Sequence, residues 1–575
     1  MKIRILALLC LGLTTIVSCK EDYLEKPPLD QLSDGTYWTN EANVRTFAYG
    51  FYTDYFTGYG SGNTWGNYFS GQALNDDFAS GTPPEYTRVV PATGGGWTFT
   101  YVRKANLFLS KVQNMEVDAD MPEEAKLHWQ GIGRFFRGLE YFDLVKRFGD
   151  VPYYDQVLDE KDVAQLYKPR DPRTLVMDKV LEDFKYAATN VRAVDGKAGL
   201  TVNKYVVLAY MSRVFLFEGT WQKYHLNNAA KAKEYLEAAK WAAAEVIASK
   251  KYSLKNYREV FNSLDLATNT EVLLYRQYVE GILTHALMSY NNKEAQTGAP
   301  KDLIETYLAS DGLPISLSAV YQGDKTIAQV MANRDPRIKE TFVNELRPAG
   351  VVSASSTTGY ATHKFLNESI KDQTIGTLNL NPTDAPIIRF GEVLVNYAEA
   401  AAELATVGGA ALTNEDLNIS INVLRSRPGI NMPALKVAGD VAMVGTVAYT
   451  DPQKDADVSS IIWEIRRERR VELVYEGFRW DDLRRWKKLE YTDTEANPDI
   501  NRGAYLKKAD FPKISANVVL DMNPADTEGY ITPAWKPESQ RKFTNPRIYL
   551  NPIPQDQIVL YKENGATLTQ NPGWE

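Results

Sequence analysis

Cysteine is almost absent from this sequence of 575 residues: only Cys10 and Cys19 occur, and both lie in the N-terminal leader. No disulfide framework and no thiol nucleophile can therefore be proposed for the rest of the chain. Long hydrophobic runs are missing as well. No stretch after the leader approaches the roughly 18 consecutive apolar residues that a membrane-spanning helix requires. We therefore expect the body of the protein to be soluble.

Signatures of the common catalytic classes are also missing. The sequence has no HExxH, GxSxG, GxxxxGKS/T or GxGxxG pattern. Its four histidines are widely separated, and a lone histidine is more often packed in a core than used as a ligand. The 73 acidic residues offer many pairs of carboxylates of the kind that a glycosidase uses, but nothing in the sequence favours one pair. We predict a protein that is not an enzyme and that needs no cofactor and no metal.

Positive charge is in deficit. The formal net charge is -8 and the isoelectric point is about 5.4, which disfavours nucleic acid and anionic lipid as partners. One arginine-rich stretch does not change this conclusion. Between residues 464 and 488, 9 basic residues are interleaved with 6 acidic ones, so a phosphate backbone would meet carboxylates as well.

The leader has the pattern of a secretion signal. Lys2 and Arg4 precede an apolar region over residues 5–17 that is too short to span a bilayer. Residues 16–19, IVSC, resemble a lipobox, so we expect residues 1–18 to be removed and Cys19 to become lipidated. Residues 19–38, which are rich in proline and charge, would then form a tether.

Helical periodicity dominates the remaining chain, which predicts a mostly α protein. Predicted helices cover residues 43–55 (with Asn40 as a cap), 99–115, 122–148, 171–191, 203–217, 229–249, 302–308, 389–404 and 417–425. Alanine recurs where neighbouring helices must approach closely, and the pairing resembles tetratricopeptide units without a strict 34-residue repeat. Three segments contain many prolines and glycines and show no helical periodicity: residues 265–314, 347–386 and 437–459.

The arginine-rich stretch, residues 463–488, has the sequence WEIRRERRVELVYEGFRWDDLRRWKK. Glutamate recurs every four residues between positions 464 and 476, with arginines within i+3 or i+4 reach, which predicts an amphipathic helix. Gly477 allows a break, and Asp481 or Asp482 can cap a second helix. We interpret the stretch as structural, forming either a solvated face or an interhelical lattice of ion pairs.

The same stretch carries a family resemblance. Residues 468–488, ERRVELVYEGFRWDDLRRWKK, resemble the signature of the SusD/RagB family of outer-membrane nutrient-binding lipoproteins. Other segments agree and occur in the family's order: RFFRGLEYFDLVKRFGDVP (134–152), NRDPRI (333–338), PIIRFGEVLVNYAEAAAEL (386–404), INVLRSRPGI (421–430) and the end of the chain (549–574), which closes with LTQNPGW. The resemblance spans most of the mature chain.

The resemblance implies a SusD-like α-helical fold with tetratricopeptide-like helix pairs and a less regular, loop-rich C-terminal part. On this basis we expect an N-terminal helical region over residues 39–260 and a C-terminal region over residues 261–575. It also implies a lipid-anchored protein on the exterior of the outer membrane. There it would bind oligosaccharides or polysaccharides and deliver them to a SusC-type TonB-dependent transporter. A peptide ligand, associated with one branch of the family, and a purely structural lid of the transporter remain alternatives.

No binding residue transfers by motif, because the matched segments imply scaffold, so the candidates come from composition. Flat aromatic faces with amides or charges at the rim suit a sugar ring. The glycine-rich segment 58–97 supplies both, and two further aromatic sites follow it in the chain. Asp76 and Asp77 lack the spacing of a calcium loop. The candidate residues are Trp65, Tyr68, Asn75, Asp76, Asp77, Tyr86, Arg88, Trp97, Trp221, Tyr290 and Asn291.

Overall fold

The computed structural model of the chain describes residues 37–66, 68, 74–81 and 88–575. Helix is the main secondary structure of these residues, as predicted. The helices of the first half are Glu41–Tyr49, Tyr52–Tyr55, Thr100–Asn114, Glu123–Phe148, Val163–Leu166, Arg173–Asn190, Lys204–Tyr224, Ala229–Ala248 and Glu259–Asn262. The later helices are Leu287–Asn292, Lys301–Thr306, Ile327–Met331, Arg337–Thr341, Thr374–Thr377, Phe390–Ala405, Asn414–Asn418, Ile421–Arg425, Ser460–Glu472, Arg479–Arg485 and Gln555–Glu563.

The strands are short and antiparallel. Val272–Arg276 pairs with Ala385–Arg389, with register shifts along the pair. Leu435–Ala438, Val441–Val444 and Val447–Tyr449 form a three-stranded meander, and Tyr505–Lys507 pairs with Glu528–Tyr530. Single turns of 3-10 helix occur at Leu489–Thr492, Pro498–Asn501, Lys508–Asp510, Pro537–Ser539 and Pro546–Tyr549. The sheets are too small to form a layer of their own, so they serve to hold loops against the helical body.

The long helices form one packed array with a continuous apolar core. Ala239, Ala242 and Ala243 are fully buried, which confirms that alanine lies where helices approach closely. The packed pairs are Thr100–Asn114 with Glu123–Phe148, Glu123–Phe148 with Arg173–Asn190, Lys204–Tyr224 with Ala229–Ala248, and Ala229–Ala248 with Phe390–Ala405. A second apolar cluster lies under the loops of the C-terminal half.

Cap residues set several of the helix boundaries. Asn40 caps the first helix through its side chain, which accepts a hydrogen bond from the Asn43 N–H at 2.9 Å, as predicted. The helix predicted over residues 417–425 is in fact two helices. Thr413 starts the first with a capping box, and the non-helical backbone of Ser420 (φ -133°, ψ -93°) separates it from the second.

The helix predicted to end at residue 217 continues to Tyr224. Gly219 does not break it, because this glycine lies against Leu236 of the next helix, where a β-carbon would come within 2.7 Å of the Leu236 side chain. The glycine therefore serves close packing. In consequence the candidate residue Trp221, which lies just past the predicted end of this helix, is inside the helix.

The arginine-rich helix, Ser460–Glu472, is part of the core. Arg466, Arg469 and Arg470 are each less than a tenth exposed, so the solvated-face alternative is wrong and the stretch forms an interhelical lattice of ion pairs. The capping prediction is also wrong, because Asp481 and Asp482 lie in the first turn of Arg479–Arg485, whose N-terminal cap has no side-chain hydrogen bond. Asp482 instead accepts a hydrogen bond from Arg469 Nε at 2.8 Å.

Within the residues described, no helix is both long and apolar enough to cross a membrane.

Candidate functional site

Three loops meet at one surface of the protein: residues 58–66, 279–286 and 378–381. Backbone hydrogen bonds join them, from Gly62 to Thr284 (2.8 Å), from Ala286 to Thr64 (3.0 Å), and in both directions between His285 and Asn381 (3.1 and 3.0 Å). The three loops therefore form one unit, although they lie far apart in sequence.

The first loop is shaped by glycine. Gly60 and Gly66 have φ angles of +79° and +60°, in the left-handed region that favours glycine. A β-carbon on Gly66 would overlap the carbonyl oxygen of Gly58. Thr64 closes the turn, because its Oγ1 donates to the Ser61 carbonyl at 2.9 Å. This tight turn fixes the position from which Trp65 leaves the backbone.

Trp65 is half-buried and lies against Tyr290. The ring centroids are 4.6 Å apart and the ring planes meet at 45°. Tyr290 is only 4% exposed, and its hydroxyl accepts a hydrogen bond from the Thr297 N–H at 2.7 Å. The structure thus brings together two predicted site residues from separate parts of the chain. We call the area formed by Trp65, Tyr290 and the three loops the Trp65 surface.

Amides and aliphatic side chains lie on the same three loops. Asn379 Nδ2 donates to Asn63 Oδ1 at 2.9 Å, so an amide pair bridges the first and third loops. Ile282 is 83% exposed, and Leu378 and Leu380 are 53% and 44% exposed. The Trp65 surface therefore offers one flat aromatic ring, amide groups and exposed apolar side chains to a ligand.

The floor under the loops is aromatic and uncharged. The imidazole of His285 lies between Tyr59 and Tyr278, with centroid distances of 4.8 and 4.7 Å. His285 Nδ1 accepts a hydrogen bond from the Leu287 N–H at 3.1 Å, so Nε2 carries the proton and donates to the Thr383 carbonyl at 3.0 Å. Burial lowers the pKa of His285 to about 3. The ring therefore stays neutral and acts as part of the scaffold.

Two further predicted residues lie beneath the Trp65 surface and not on it. Tyr68 is buried, donates from its hydroxyl to the Pro386 carbonyl, and packs edge-on against Phe365 with 5.5 Å between the ring centroids. Asn291 is fully buried, and its side-chain oxygen accepts from the Phe365 N–H at 3.4 Å. Both positions support a scaffold role at this surface, because both side chains are buried under it.

The predicted polar cluster at residues 75–77 is also buried. Arg479 Nη2 lies 2.6 Å from Asp76 Oδ2, and Arg470 Nε lies 2.8 Å from Asp77 Oδ1. Burial alone would raise the pKa of Asp76, but Arg470 and Arg479 outweigh burial and hold it well below its usual range. Asn75 is 2% exposed, and its side-chain oxygen accepts from the Asp77 N–H at 2.9 Å. These carboxylates are already matched by guanidinium groups, so the cluster has no excess negative charge to attract calcium.

The remaining described candidates lie in the helical body. Trp97 is 7% exposed and packs edge-on against Phe148 at 5.0 Å. Trp221 is 3% exposed and stacks on His225, with 3.8 Å between centroids. Arg88 donates to Asn551 at 2.6 Å. Of the predicted aromatic residues that the structure describes, Trp65 is the one left half-exposed. Tyr86 and Cys19 lie outside the described residues.

Sequence reasoning missed the part of the site that comes from the C-terminal half. Asn379, Ile282, Leu378 and Leu380 belong to segments without helical or strand periodicity, and isolated backbone bridges place them. Their proline and glycine content indicated loops, but nothing in the local pattern indicated which loops would meet.

Two cavities lie away from the Trp65 ring, on either side of the arginine-rich helix region. One of about 380 Å³ is lined by Trp463, Trp486 and Tyr491 among charged side chains. The other, of about 430 Å³, is lined by Tyr55, Phe142 and Trp480 and reaches the buried ring of Tyr68. Among the described residues, no group of three or more histidine, cysteine, aspartate or glutamate side chains is placed to hold a metal ion.

Comparison with known families agrees with this fold. The sequence profile of the SusD family matches residues 275–574, and a second profile, described as starch-binding and associating with the outer membrane, matches residues 37–216. The chain belongs to the SusD family. The two profiles together match most of the sequence.

Individual relatives are distant in sequence. The chain is similar to SusD-like protein P38 of Formosa agariphila, with 24% identity over 520 residues, 84% of this chain and 92% of the relative. Its fold is similar to that of a SusD-like carbohydrate-binding protein from Bacteroides fragilis, with a TM-score of 0.63 and 20% identity over 91% of this chain and 98% of that one. A laminarin-binding SusD-like protein has a TM-score of 0.54 and 16% identity over 93% and 100% of the two chains. At these identities the structural likeness establishes the fold.

Proposed function

We propose that this protein is a non-catalytic glycan-binding lipoprotein of the outer membrane, and that its ligand binds at the Trp65 surface. The observation that carries the proposal is the half-exposed ring of Trp65, held against the buried Tyr290 beside the Asn63–Asn379 amide pair. An indole face packs against the apolar face of a sugar ring, and amides exchange hydrogen bonds with its hydroxyl groups. Family membership supports the same ligand class.

The family also supports a partner and a location. We propose that Cys19 carries the lipid anchor, that the protein faces the cell exterior, and that the bound glycan is delivered to a SusC-type TonB-dependent transporter. Cys19→Ala is expected to move the protein from the membrane fraction to the soluble fraction, whereas Cys10→Ala is the matched control and is expected to change nothing. Membrane retention of the Cys19→Ala protein would contradict the anchor, unless removal of the transporter then releases it.

The test of glycan binding is incubation of the mature protein with insoluble or immobilised polysaccharides, including starch and laminarin, with two readouts. Retention of the protein is expected for at least one polysaccharide, without any increase in reducing ends. Retention should be lost with Trp65→Ala. New reducing ends that disappear when one aspartate or glutamate is changed would contradict a non-catalytic role.

A peptide is the second candidate ligand. The exposed side chains of Ile282, Leu378 and Leu380, on the loops joined to that of Trp65, favour it, because aliphatic groups match apolar peptide side chains better than they match sugar hydroxyls. Competition separates the two candidates. If unlabelled oligosaccharide fails to displace a bound ligand that a mixed peptide pool does displace, the peptide reading is correct and the glycan proposal fails.

A further inference from the structure

The cavity of about 380 Å³ lies between the arginine-rich helix Ser460–Glu472, the helix Arg479–Arg485 and residues 489–500. Its volume falls within the usual range of small-molecule sites, roughly 300–1,000 Å³. None of the residues that line it belongs to the three loops of the Trp65 surface. The cavity is therefore a separate feature of the fold, and the proposed function does not use it.

Two aromatic rings line this cavity, and the polar atom of each ring is hydrogen-bonded to a carboxylate of the segment 451–455. Trp463 Nε1 donates to Asp451 Oδ2 at 3.3 Å, and the Tyr491 hydroxyl donates to Asp455. Both side chains are half-buried. Because the polar edge of each ring is already bonded to a carboxylate, the orientation of each ring is set before any ligand arrives.

These two rings are partly buried against the apolar core and partly exposed, and no cation among the described residues covers them, unlike the third aromatic residue in the cavity. Trp486 is covered by guanidinium groups, with Arg466 at 4.4 Å and Arg485 at 4.6 Å from the ring. In the part of the chain that the structure describes, no aromatic ring or cation lies over Trp463 or Tyr491. The part of each ring that lines the cavity is therefore an apolar aromatic surface, which is the feature that a sugar ring requires.

The charges of the lining are already paired, which argues against an ionic ligand. Arg470 donates to Asp77 at 2.8 Å and to Asp302 at 2.7 Å. Lys301 lies between Glu305 at 2.6 Å and Asp499 at 3.2 Å. An anion or a cation would have to compete with these pairs. A neutral polyhydroxyl compound would not, because a carboxylate has about four lone-pair sites and can accept hydroxyl donors while it keeps its ion pair.

We propose that this cavity binds a neutral mono- or disaccharide and is a second sugar site, distinct from the Trp65 surface. The inference depends on the proposed function only for the class of ligand. The two sites differ in form: the cavity encloses one or two sugar rings, whereas the Trp65 surface is open and can hold a segment of a long chain.

The test measures binding of glucose, galactose, mannose, maltose and cellobiose by titration calorimetry to the mature protein and its variants. Ala496 is exposed at the mouth of the cavity, so Ala496→Trp should block entry without disturbing the core. We expect at least one sugar of the panel to bind, and its affinity to fall about tenfold or more in Ala496→Trp, a loss of roughly 1.4 kcal/mol. Ala525→Trp, at an exposed alanine outside the lining, is the matched control and should leave the affinity unchanged.

Tyr491→Leu tests the same site from inside, because it removes the flat ring but keeps an apolar side chain of moderate size. The substitution should weaken binding of the same sugar. A normal circular dichroism spectrum would show that the fold is kept. Trp65→Ala should leave small-sugar binding intact while it abolishes retention on polysaccharide. That combination would separate the two sites.

Failure of this inference can be told apart from failure of the proposed function. Polysaccharide retention without binding of any small sugar, or small-sugar binding that Trp65→Ala removes and Ala496→Trp does not, would overturn the second site and leave the first. Small-sugar binding that is sensitive to Ala496→Trp, in a protein that no polysaccharide retains, would support the cavity and overturn the proposed function.

Discussion

The indole of Trp65 lies against the phenol ring of Tyr290, with 4.6 Å between the ring centroids. Tyr290 cannot move to follow Trp65, because it is buried and its hydroxyl is bonded to the Thr297 N–H. The contact therefore holds the indole in one orientation before a ligand binds, and ordering the ring costs little at the moment of binding. A ring held in this way can act as a platform even on an open surface.

Trp65→Ala should reduce glycan affinity by about tenfold or more, since roughly 1.4 kcal/mol corresponds to each factor of ten. The loss of stability should be small, about 1 kcal/mol, because the main intramolecular contact removed is one aromatic pair. Affinity electrophoresis in polysaccharide gels measures the first effect, and thermal unfolding measures the second. Trp241→Ala is the control: this tryptophan is 45% exposed on the helix Ala229–Ala248, away from the three loops. Equal loss of binding in both variants would mean that Trp65 has no specific role.

Gly66→Ala should weaken glycan binding without touching any group that meets the ligand. The added β-carbon would overlap the Gly58 carbonyl, so the turn must open and Trp65 must leave its position on Tyr290. Gly62→Ala is a matched control in the same loop. Gly62 also has a positive φ, +56°, but nothing lies within 4 Å of its β-carbon position. Gly62→Ala should lose about 1 kcal/mol of stability from backbone strain. Gly66→Ala should lose more, because its β-carbon also meets the Gly58 carbonyl, and it alone should lose affinity in the gel assay.

The helical body could be predicted from the sequence because its signals are local. Asn40 caps a helix, Gly149 ends one at the predicted position, and apolar residues recur with the period of the helix. The boundary errors arose where tertiary packing overrode a local signal. The helix Lys204–Tyr224 runs past its predicted end at residue 217, and Gly219 within the added turn is a packing contact with Leu236.

The candidate site was only partly predictable. The loop residue Trp65 and the partner Tyr290 were both proposed, but aromatic residues in glycine-rich segments can also point inward, as Trp97 and Tyr68 do. Composition does not distinguish the two directions. The third loop could not be assigned, because the bridge between His285 and Asn381 joins two segments that have no period of their own.

The ion pairs of the core also show that the sequence pattern does not predict which distant segments meet. The sequence placed arginines within i+3 or i+4 reach of Glu472 in its own helix. Glu472 instead lies among Arg337, Arg389 and Arg427, at 3.0, 2.7 and 2.6 Å. These arginines come from three other segments of the chain. Residue type predicted the charge pairing, whereas the choice of partners depends on the tertiary fold.

Glu472→Gln should be strongly destabilising. Burial alone would raise the pKa of Glu472, but the three arginines outweigh burial and lower it to about 2, so the carboxylate is ionised at neutral pH. Removing its charge takes one carboxylate partner from each of three buried guanidinium groups, which keep their pairs with Glu271, Asp335, Glu468 and Glu476. Breaking a buried ion pair from one side costs about 3–5 kcal/mol. Urea denaturation followed by tryptophan fluorescence measures the effect as a fall in the midpoint.

The control for this variant is Glu182→Gln, which breaks the exposed pair with Lys179. Exposed ion pairs contribute about 0–1 kcal/mol, so the midpoint should barely change. A Glu472→Gln midpoint as close to the wild type as that of Glu182→Gln would mean that the arginines find other partners, and that the lattice does not depend on this carboxylate.

Acid should destabilise the protein through its histidines, and His285 gives the clearest case. Its pKa is about 3 in the folded protein and 6.5 in its ordinary state. As the pH falls below 6.5, the unfolded chain takes up a proton that the folded chain does not, so stability is complete above pH 6.5 and declines toward pH 3. This one residue should cost about 2 kcal/mol of stability between pH 7 and pH 5.

His285→Gln isolates the contribution of this ring. The variant should be less stable than the wild type at pH 7, because the Leu287 N–H loses its acceptor, but its stability should fall less steeply between pH 6.5 and pH 5. Asp384 titrates in the opposite sense nearby, since burial raises its pKa to about 6. Its contribution is present in both proteins and cancels when the two urea midpoints are compared at each pH. Parallel pH profiles would show that His285 is protonated in the folded protein, and the neutral floor under the Trp65 surface would then have to be abandoned.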